Sequence, residues 1–510
     1  MAEVIAQAAG FVVSHMVSVA ILVPMFGAAV SLVVPGRMRN LGRLITVAAS
    51  FVCLALCVAA FAKIRGTGEL ELSELAGWIP SLGVYYRVGL DGASALMACT
   101  AALIATSAIV YSWQEIDRRQ NLFNALALLC EASLVGLFAA ADAFLFYAFW
   151  NVAVMCACFM AGIWGGKNRL TASFKLAAFA AASSAAMLTA FAYAGGRAES
   201  FCIVDWMAVR FTVLEQAWLF GALAFAFGIF VPLAGLHTWL SDFSEEAPSS
   251  CAMIFGSTML AAGAYGLFRI AMPLAPVAVA VSSSAMLSLS TAAVFFGAML
   301  AISERDARRA AAAASISQMG LVTLGLFSLQ GLAASGAMLL AAAQAVVCAA
   351  LYAISGMLRT RVGTCSLNDV SGLGRGMPAM AAMLALLTAA VAGVPGLSGF
   401  AGQFPLMLGS FQSRTAFAGA SLAGLAVLWI AMILFASRAI FGQRSDHAER
   451  RFADIRAAEA TAIAPLIAAV LIVGVCPQFV LGRLEKSSEA FVKLTKRVEM
   501  IIPAPGALNE

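Results

Sequence analysis

Long apolar runs dominate the chain. About fourteen of them recur along the 510 residues, and each is close to the roughly 20 residues that an α-helix needs to cross a bilayer. The runs are continuous, whereas membrane β-strands alternate apolar and polar residues in short segments. The pattern therefore predicts an all-α polytopic membrane protein with about 14 transmembrane helices.

Two of the runs are interrupted. Pro232 lies inside the seventh run, which leads into the polar segment 237–246, and Pro248 opens the next run. A second interruption, Gly393–Phe400, falls in the twelfth run. Proline removes a backbone donor, and irregular backbone is tolerated in lipid only inside protein or beside a wet cavity. We expect helices 7 and 12 to be broken, with the polar segment forming a break between helices 7 and 8; an ordinary interhelical loop is the alternative.

Composition and charge agree with a membrane location. The chain is 62% hydrophobic and 11% charged, whereas a soluble domain is about a quarter charged. With the amino terminus outside and fourteen alternating helices, 19 of the 31 Lys and Arg residues fall on the inner side. The positive-inside rule favours this orientation in a bacterial cytoplasmic membrane. The net charge of +5 then reflects topology, and a nucleic-acid partner is not expected. The start of the chain has no basic region typical of a cleavable signal peptide.

Motifs for autonomous catalysis are missing from the sequence. The eleven cysteines contain no CxxC pair, so we expect no metal site and interpret them as small buried apolar residues. The glycine-rich turn 372–376 lacks the preceding strand and following helix of a nucleotide-binding fold. The sequence therefore predicts no catalytic residues and no cofactor in this chain.

Several motifs together resemble one family. The stretch contains Val231-Pro232, His237-Thr238-Trp239-Leu240, Asp242, Glu246-Ala247-Pro248 and Gly263-Ala264-Tyr265-Gly266-Leu267 with Arg269. It resembles the antiporter-like subunits of respiratory complex I, and within that group the chain M type. The segments 78–80, 89–92 and 164–169 add to the resemblance, which covers nearly the whole chain. The resemblance implies two inverted five-helix repeats, at 122–272 and 273–437. Segment 1–121 would hold helices 1–3, and segment 438–510 an inner loop, helix 14 and a tail that lies along the membrane surface.

The same resemblance implies a function. A chain of this type is a non-redox membrane-arm subunit of proton-pumping NADH-quinone oxidoreductase, with other membrane-arm subunits and the lipid bilayer as partners. NADH, FMN, iron-sulfur clusters and quinone would belong to other subunits. Two alternatives stay open: a subunit of a multisubunit cation/proton antiporter or membrane hydrogenase, and a purely structural spacer that transports nothing.

Ionisable groups inside membrane spans mark proton paths by default. The candidates for such a path are Glu131, Asp142, Lys175, His237, Asp242 and Glu246. Glu131 could equally be a carboxylate bonded between helices, and Lys175 a snorkelling surface lysine. We also expect His237, Asp242 and Glu246 to shape the break at helix 7.

Where the family carries central charged or imidazole side chains, this chain departs from the pattern. The substituted positions are Asn151, Phe230, Ala261, Gln318, Gln344 and Gln403. Amides keep hydrogen bonding but cannot titrate, and Phe and Ala remove positive charge. The substitutions predict a folded subunit whose proton conduit is disabled or rerouted.

Overall fold

The computed structural model describes residues 14–35, 38–233, 235–367, 369, 371–442 and 453–496. Helices account for most of this part of the chain. In order, the elements are α1 Met16–Val33, α2 Arg39–Lys63, β1 Glu71–Ile79, β2 Val84–Leu90, α3 Gly92–Glu115, α4 Gln120–Ala139, α5 Ala143–Trp164, α6 Arg169–Ala198, α7a Val213–Phe230, α7b Thr238–Glu246, α8 Ser249–Leu274, α9 Pro276–Ser303, α10 Ala307–Phe327, α11 Gly331–Val362, α12a Pro378–Val391, α12b Ser398–Ser413, α13 Thr415–Phe441, α14 Ala457–Val475 and α15 Gln478–Thr495.

Thirteen helices in the described residues are long and apolar enough to cross a membrane. The remaining span of the sequence pattern, the twelfth, is split into α12a and α12b, each of which is shorter. The predicted all-α polytopic membrane fold is thereby confirmed.

The break in helix 7 lies earlier than the sequence indicated. Residues 231–233 and 235–237 form the irregular part, where the Leu233 N–H donates to the Gly228 carbonyl at 3.2 Å and the Leu236 N–H to the Leu233 carbonyl at 2.9 Å. The polar segment that we expected to form the break is mostly helical, as α7b. Its polar side chains alternate with buried Trp239, Leu240 and Phe243, so one face of α7b packs while the other stays polar.

The outer segment between α2 and α3 contains the two β-strands of the described part of the chain. β1 and β2 form an antiparallel hairpin with Glu71 opposite Leu90 and Ile79 opposite Val84. Its Glu74 carboxylate accepts from the backbone N–H groups of Val17 at 3.0 Å and Ser18 at 3.2 Å, at the start of α1. The hairpin thus provides acceptors for donors that the first turn of a helix leaves free.

Three helices form the centre of the molecule. α8, α10 and α11 are buried over their whole spanning windows, whereas most of the surrounding helices expose half or more of theirs. The centre therefore combines one helix of the first expected repeat with two of the second. Small residues permit the close approach: a Cβ on Gly320 would press on the α9 backbone at Val294 and Ser290.

The amphipathic C-terminal helix α15 packs on the outer ends of the other helices. Gly92 at the start of α3 lies so close to the Arg483 carbonyl that a Cβ there would clash with it. Phe491 of α15 stacks on Phe268 of α8 with ring centroids 4.6 Å apart. The expected surface tail is thus a docked helix up to Thr495; residues beyond 496 lie outside the described part.

Candidate functional site

Aromatic rings fill the interior of the first expected repeat next to the break in helix 7. Phe230 is the last residue of α7a and is fully buried. Its ring centroid lies 5.0 Å from that of Trp150 on α5, 5.2 Å from Trp239 on α7b and 6.4 Å from Phe255 on α8. The Trp239 indole donates to the Ile229 carbonyl at 2.9 Å, which satisfies backbone that the break would otherwise leave free. The arrangement is apolar and tightly packed where the family pattern has a lysine.

Asn151 is held by neutral partners. Its amide nitrogen donates to the Tyr147 carbonyl at 2.8 Å within α5, and its amide oxygen accepts from the Ser184 hydroxyl of α6 at 2.5 Å. Ala261 is buried in the middle of α8, between the π-helical turns Ala252–Ser257 and Leu267–Ala271. Neither position holds a group that can bind or release a proton near neutral pH.

Glutamine side chains form hydrogen bonds at the break in helix 12, in the second expected repeat. Gln318 of α10 and Gln403 of α12b both donate to the Val391 carbonyl at the end of α12a, at 2.8 and 3.1 Å. Gln403 also donates to the Gln318 amide oxygen at 3.2 Å. Gln344 of α11 donates to the Ser315 hydroxyl at 3.1 Å. These amides satisfy backbone and side-chain groups at the break without carrying charge.

Charged side chains meet at the ends of α6, α7b and α10. Lys175 pairs with Asp242 at 2.7 Å, Asp242 with Arg309 at 3.4 Å, and Arg309 with Glu245 at 2.6 Å. Each of these side chains is about a third exposed or slightly more. We call the four side chains of Lys175, Asp242, Glu245 and Arg309 the charged seam. It connects the first expected repeat to the second through α7b. Lys175 therefore lies at a partly exposed helix end and is paired there.

Glu131 lies alone in the interior. It is fully buried on α4 and accepts from the Ser50 hydroxyl of α2 at 2.9 Å. Ser50 in turn contacts the Thr106 hydroxyl of α3 at 2.8 Å. The second carboxyl oxygen of Glu131 has no hydrogen-bond partner in the described part of the chain. These hydrogen bonds connect α2, α3 and α4. They fit both roles that the sequence allowed for Glu131, a proton-path residue and a carboxylate bonded between helices.

Asp142 caps α5 at the outer side. Its carboxylate accepts from the backbone N–H groups of Phe144 at 2.9 Å, Leu145 at 3.2 Å and Tyr85 at 3.3 Å. Burial raises the pKa of this carboxyl from its ordinary value, and the three backbone donors act in the opposite direction. The same side chain thus starts a helix and ties it to the β-hairpin.

Glu246 and His237 occupy separate surroundings. The Glu246 carboxylate accepts from the Asn168 N–H at 3.0 Å, and its backbone carbonyl accepts from Gly166 N–H at 2.8 Å. The His237 ring lies 4.7 Å from that of Phe296 on α9. Of the six candidate residues, the structure joins Lys175 and Asp242 by direct contact. The other four have different neighbours, so the six do not form one chain of contacts.

Two functional positions escaped the sequence analysis. Glu115 ends α3, and its carboxylate accepts from the first N–H groups of α8, at Ser249 (2.5 Å) and Ser250 (2.9 Å). Arg308 is 1% exposed and donates to the Ala247 carbonyl at 2.8 Å and to the Ser249 hydroxyl. Both lie in charged segments at helix ends. Their signal was weak because helix capping here joins residues more than 50 positions apart.

Known proteins share this architecture. The family model described as "NADH:quinone oxidoreductase/Mrp antiporter, TM" matches residues 140–428. NADH-quinone oxidoreductase subunit 13 of Thermus thermophilus is 33% identical over 94% of this chain and 99% of its own. NAD(P)H-quinone oxidoreductase chain 4 2 of Microcystis aeruginosa is 33% identical over 61% of this chain, and the match spans 56% of that relative's length. Among solved structures, a chain of respiratory complex I from Thermus thermophilus superposes with a TM-score of 0.86 at 30% identity, covering 94% of this chain and 99% of that one.

The paired broken helices and the charged seam define an antiporter-like membrane subunit. The match covers most of the helical bundle, including both breaks. The chain belongs to the NADH:quinone oxidoreductase/Mrp antiporter family. NADH-quinone oxidoreductase subunit M of Rhodobacter capsulatus is 28% identical over 81% of this chain and 82% of its own, which confirms the predicted resemblance to the chain M type.

Proposed function

We propose that this chain is a membrane-arm subunit of a proton-pumping NADH-quinone oxidoreductase in a bacterial cytoplasmic membrane. The observation that carries the proposal is the nearly end-to-end similarity to a complex I chain in both sequence and fold. The chain works beside other membrane-arm subunits. NADH oxidation, FMN, iron-sulfur clusters and quinone belong to other subunits of the assembly.

The same family includes Mrp antiporters, and a multisubunit antiporter or a membrane hydrogenase is the second candidate. The composition of the native assembly separates the two. The protein purified from its own membrane in mild detergent should co-purify with redox subunits and NADH-quinone reductase activity. Isolation as a stable, active monomer, or with antiporter subunits alone, would contradict the proposal.

We further propose that protons do not cross this chain along a row of central charged residues. Phe230 and its neighbouring rings fill the place of a lysine, and their close contacts leave that part of the interior apolar. Asn151, Gln318 and Gln403 are engaged as neutral hydrogen-bonding groups. Transfer would need long water wires between Glu131 and the charged seam across a bilayer core of about 30 Å. The chain then connects its neighbours in the membrane arm mechanically and does not itself translocate protons.

The test is the proton-to-electron ratio of the native complex in sealed vesicles. We expect a lower ratio than in a relative that carries every family charge, and we expect the Glu131→Gln variant to leave it unchanged. Glu489→Gln, on the exposed face of α15, is the matched control for removing one carboxylate. An equally high ratio that falls in Glu131→Gln would show a rerouted path through Glu131. An equally high ratio that Glu131→Gln does not alter would refute the disabled conduit.

A further inference from the structure

A polar cavity of about 740 Å³ lies among the ends of α3, α5, α7b and α11 and the start of α8. Pockets for small ligands span roughly 300 to 1,000 Å³. Five arginines line this one, and we call it the arginine cavity: Arg118, Arg119, Arg169, Arg308 and Arg359. Three acidic residues also line it, so the lining carries an excess of positive charge.

The acidic residues are largely occupied elsewhere. Glu115 binds the N–H groups at the start of α8, and Glu246 accepts from the Asn168 N–H. Asp117 is exposed and makes no ion pair with the described cations. These hydrogen bonds leave the carboxylates charged, and the lining keeps a formal excess of two positive charges, from five arginines and three carboxylates.

The exposed arginines of the cavity are free of carboxylate partners. Within the described part of the chain, Arg118, Arg119, Arg169 and Arg359 form none of the ion pairs, whereas Arg309 and Arg361 elsewhere on the same side form short ones. The positive-inside rule accounts for the side of the membrane on which these arginines lie. It does not account for their convergence on one cavity.

Arg308 is a buried residue of the lining, and its side chain is held in place by hydrogen bonds. Its terminal nitrogens donate to the Ala247 and Glu245 carbonyls and the Ser249 hydroxyl, so the guanidinium is fixed in place. Its Nε atom is buried and has no hydrogen-bond partner in the described part of the chain. A buried donor without a partner is costly, and a bound anion would relieve that cost.

We propose that the arginine cavity binds a phosphate group, carried either by an anionic phospholipid or by a soluble phosphate compound. Guanidinium groups match phosphate oxygens in geometry and charge. Basic pockets between membrane helices on the cytoplasmic side suit anionic lipid head groups. The inference does not depend on whether the chain conducts protons.

The experiment uses the intact complex, delipidated in neutral detergent and titrated calorimetrically. The probes are cardiolipin, phosphatidylcholine and inorganic phosphate, each in a separate titration. The test variant is Arg169→Gln/Arg359→Gln, which changes two exposed residues of the lining, and the matched control is Arg375→Gln, an exposed arginine outside it. Since a hydrogen bond to a charged group contributes about a factor of ten in affinity, we expect one binding site per complex to weaken roughly a hundredfold in the double variant.

The outcomes separate the sources of the phosphate. Loss of a cardiolipin site with no response to inorganic phosphate identifies a lipid head group, and loss of an inorganic phosphate site identifies a soluble ligand. The control should bind like the wild type. If the double variant keeps the full number and affinity of the sites for both probes, or if phosphatidylcholine titrates as many sites as cardiolipin with equal affinity, the proposal is overturned. The single variant Arg169→Gln serves if the double variant fails to assemble.

Discussion

Phe230→Lys places an ammonium group where the structure has a packed ring. Phe230 is fully buried, and its ring centroid lies 5.0 Å from that of Trp150 and 5.2 Å from that of Trp239. The rings around it belong to Trp150, Trp239 and Phe255, none of which carries a charge. The substitution therefore tests directly whether the interior is as apolar as the contacts indicate.

The expected magnitude follows from burial. Removing an ammonium from water costs several kcal/mol after relaxation. The two indole rings return about 2 kcal/mol through cation–π attraction in a desolvated setting. Edge-to-face contacts of the lost ring were worth about 1 kcal/mol per pair. With about 4 kcal/mol for desolvation, about 2 kcal/mol for the two edge-to-face pairs with Trp150 and Phe255, and about 2 kcal/mol returned, a net destabilisation of about 4 kcal/mol remains.

The assay is the amount of assembled complex on native gels, together with the thermal midpoint of the membrane arm. Phe230→Leu is the control, because it keeps an apolar side chain without adding charge. We expect Phe230→Lys to lower both quantities well below those of the Leu variant. The double variant Asn151→Glu/Phe230→Lys should also differ from the wild type, because its buried carboxylate and ammonium groups would need water molecules around them. If Phe230→Lys assembled and melted like Phe230→Leu, the site would be hydrated and the apolar interior disproved.

Three further perturbations follow from the contacts. Asp242→Ala removes two ion pairs of the seam, but because the partners are about a third exposed we expect a loss of only about 1 kcal/mol and a modest fall in assembly on native gels; unchanged assembly with lost activity would instead indicate a chemical role. Arg308→Lys keeps the charge but loses the two guanidinium donors to Ala247 and Ser249, so we expect a loss of about 3 kcal/mol in the free energy of unfolding. The connection between α7b and α8 should then become accessible to limited proteolysis, and an unchanged cleavage pattern would contradict this. Gly92→Ala should undock α15, because its methyl group would meet the Arg483 carbonyl, and it should speed proteolysis of the C-terminal helix. Gly221→Ala, with open space around it, is the control and should have no effect. Equal behaviour of the two variants would refute the contact.

Much of the fold could be read from the sequence. The apolar runs gave the number of spans, since a helix that crosses lipid must be apolar over about 20 residues whatever it packs against. The interruption at Gly393–Phe400 predicted the split of helix 12, which the structure places between α12a and α12b. The domain boundaries at 121, 272 and 437 stay predictions.

The site could be read only in part. The sequence identified which residues were unusual, such as Asn151 and Gln403, because a substitution is visible without any structure. It misplaced the break in helix 7, since polar residues such as Asp242 and Glu246 read as a loop while their neighbours Trp239 and Phe243 gave α7b a packing face. The β-hairpin was missed because its short strands carry no strong alternation of apolar residues.

The apolar run lengths, the inner-side arginines and the identity of each substituted residue belong to the sequence alone, because hydropathy and side-chain chemistry are local properties. Only the tertiary structure decided that Phe230 meets Trp150 and Trp239, that Glu115 starts α8, and that five arginines line one cavity. Residues far apart in the chain make these contacts, and their proximity depends on how the helices pack. A one-dimensional pattern of hydrophobicity carries no information about which faces of two helices meet.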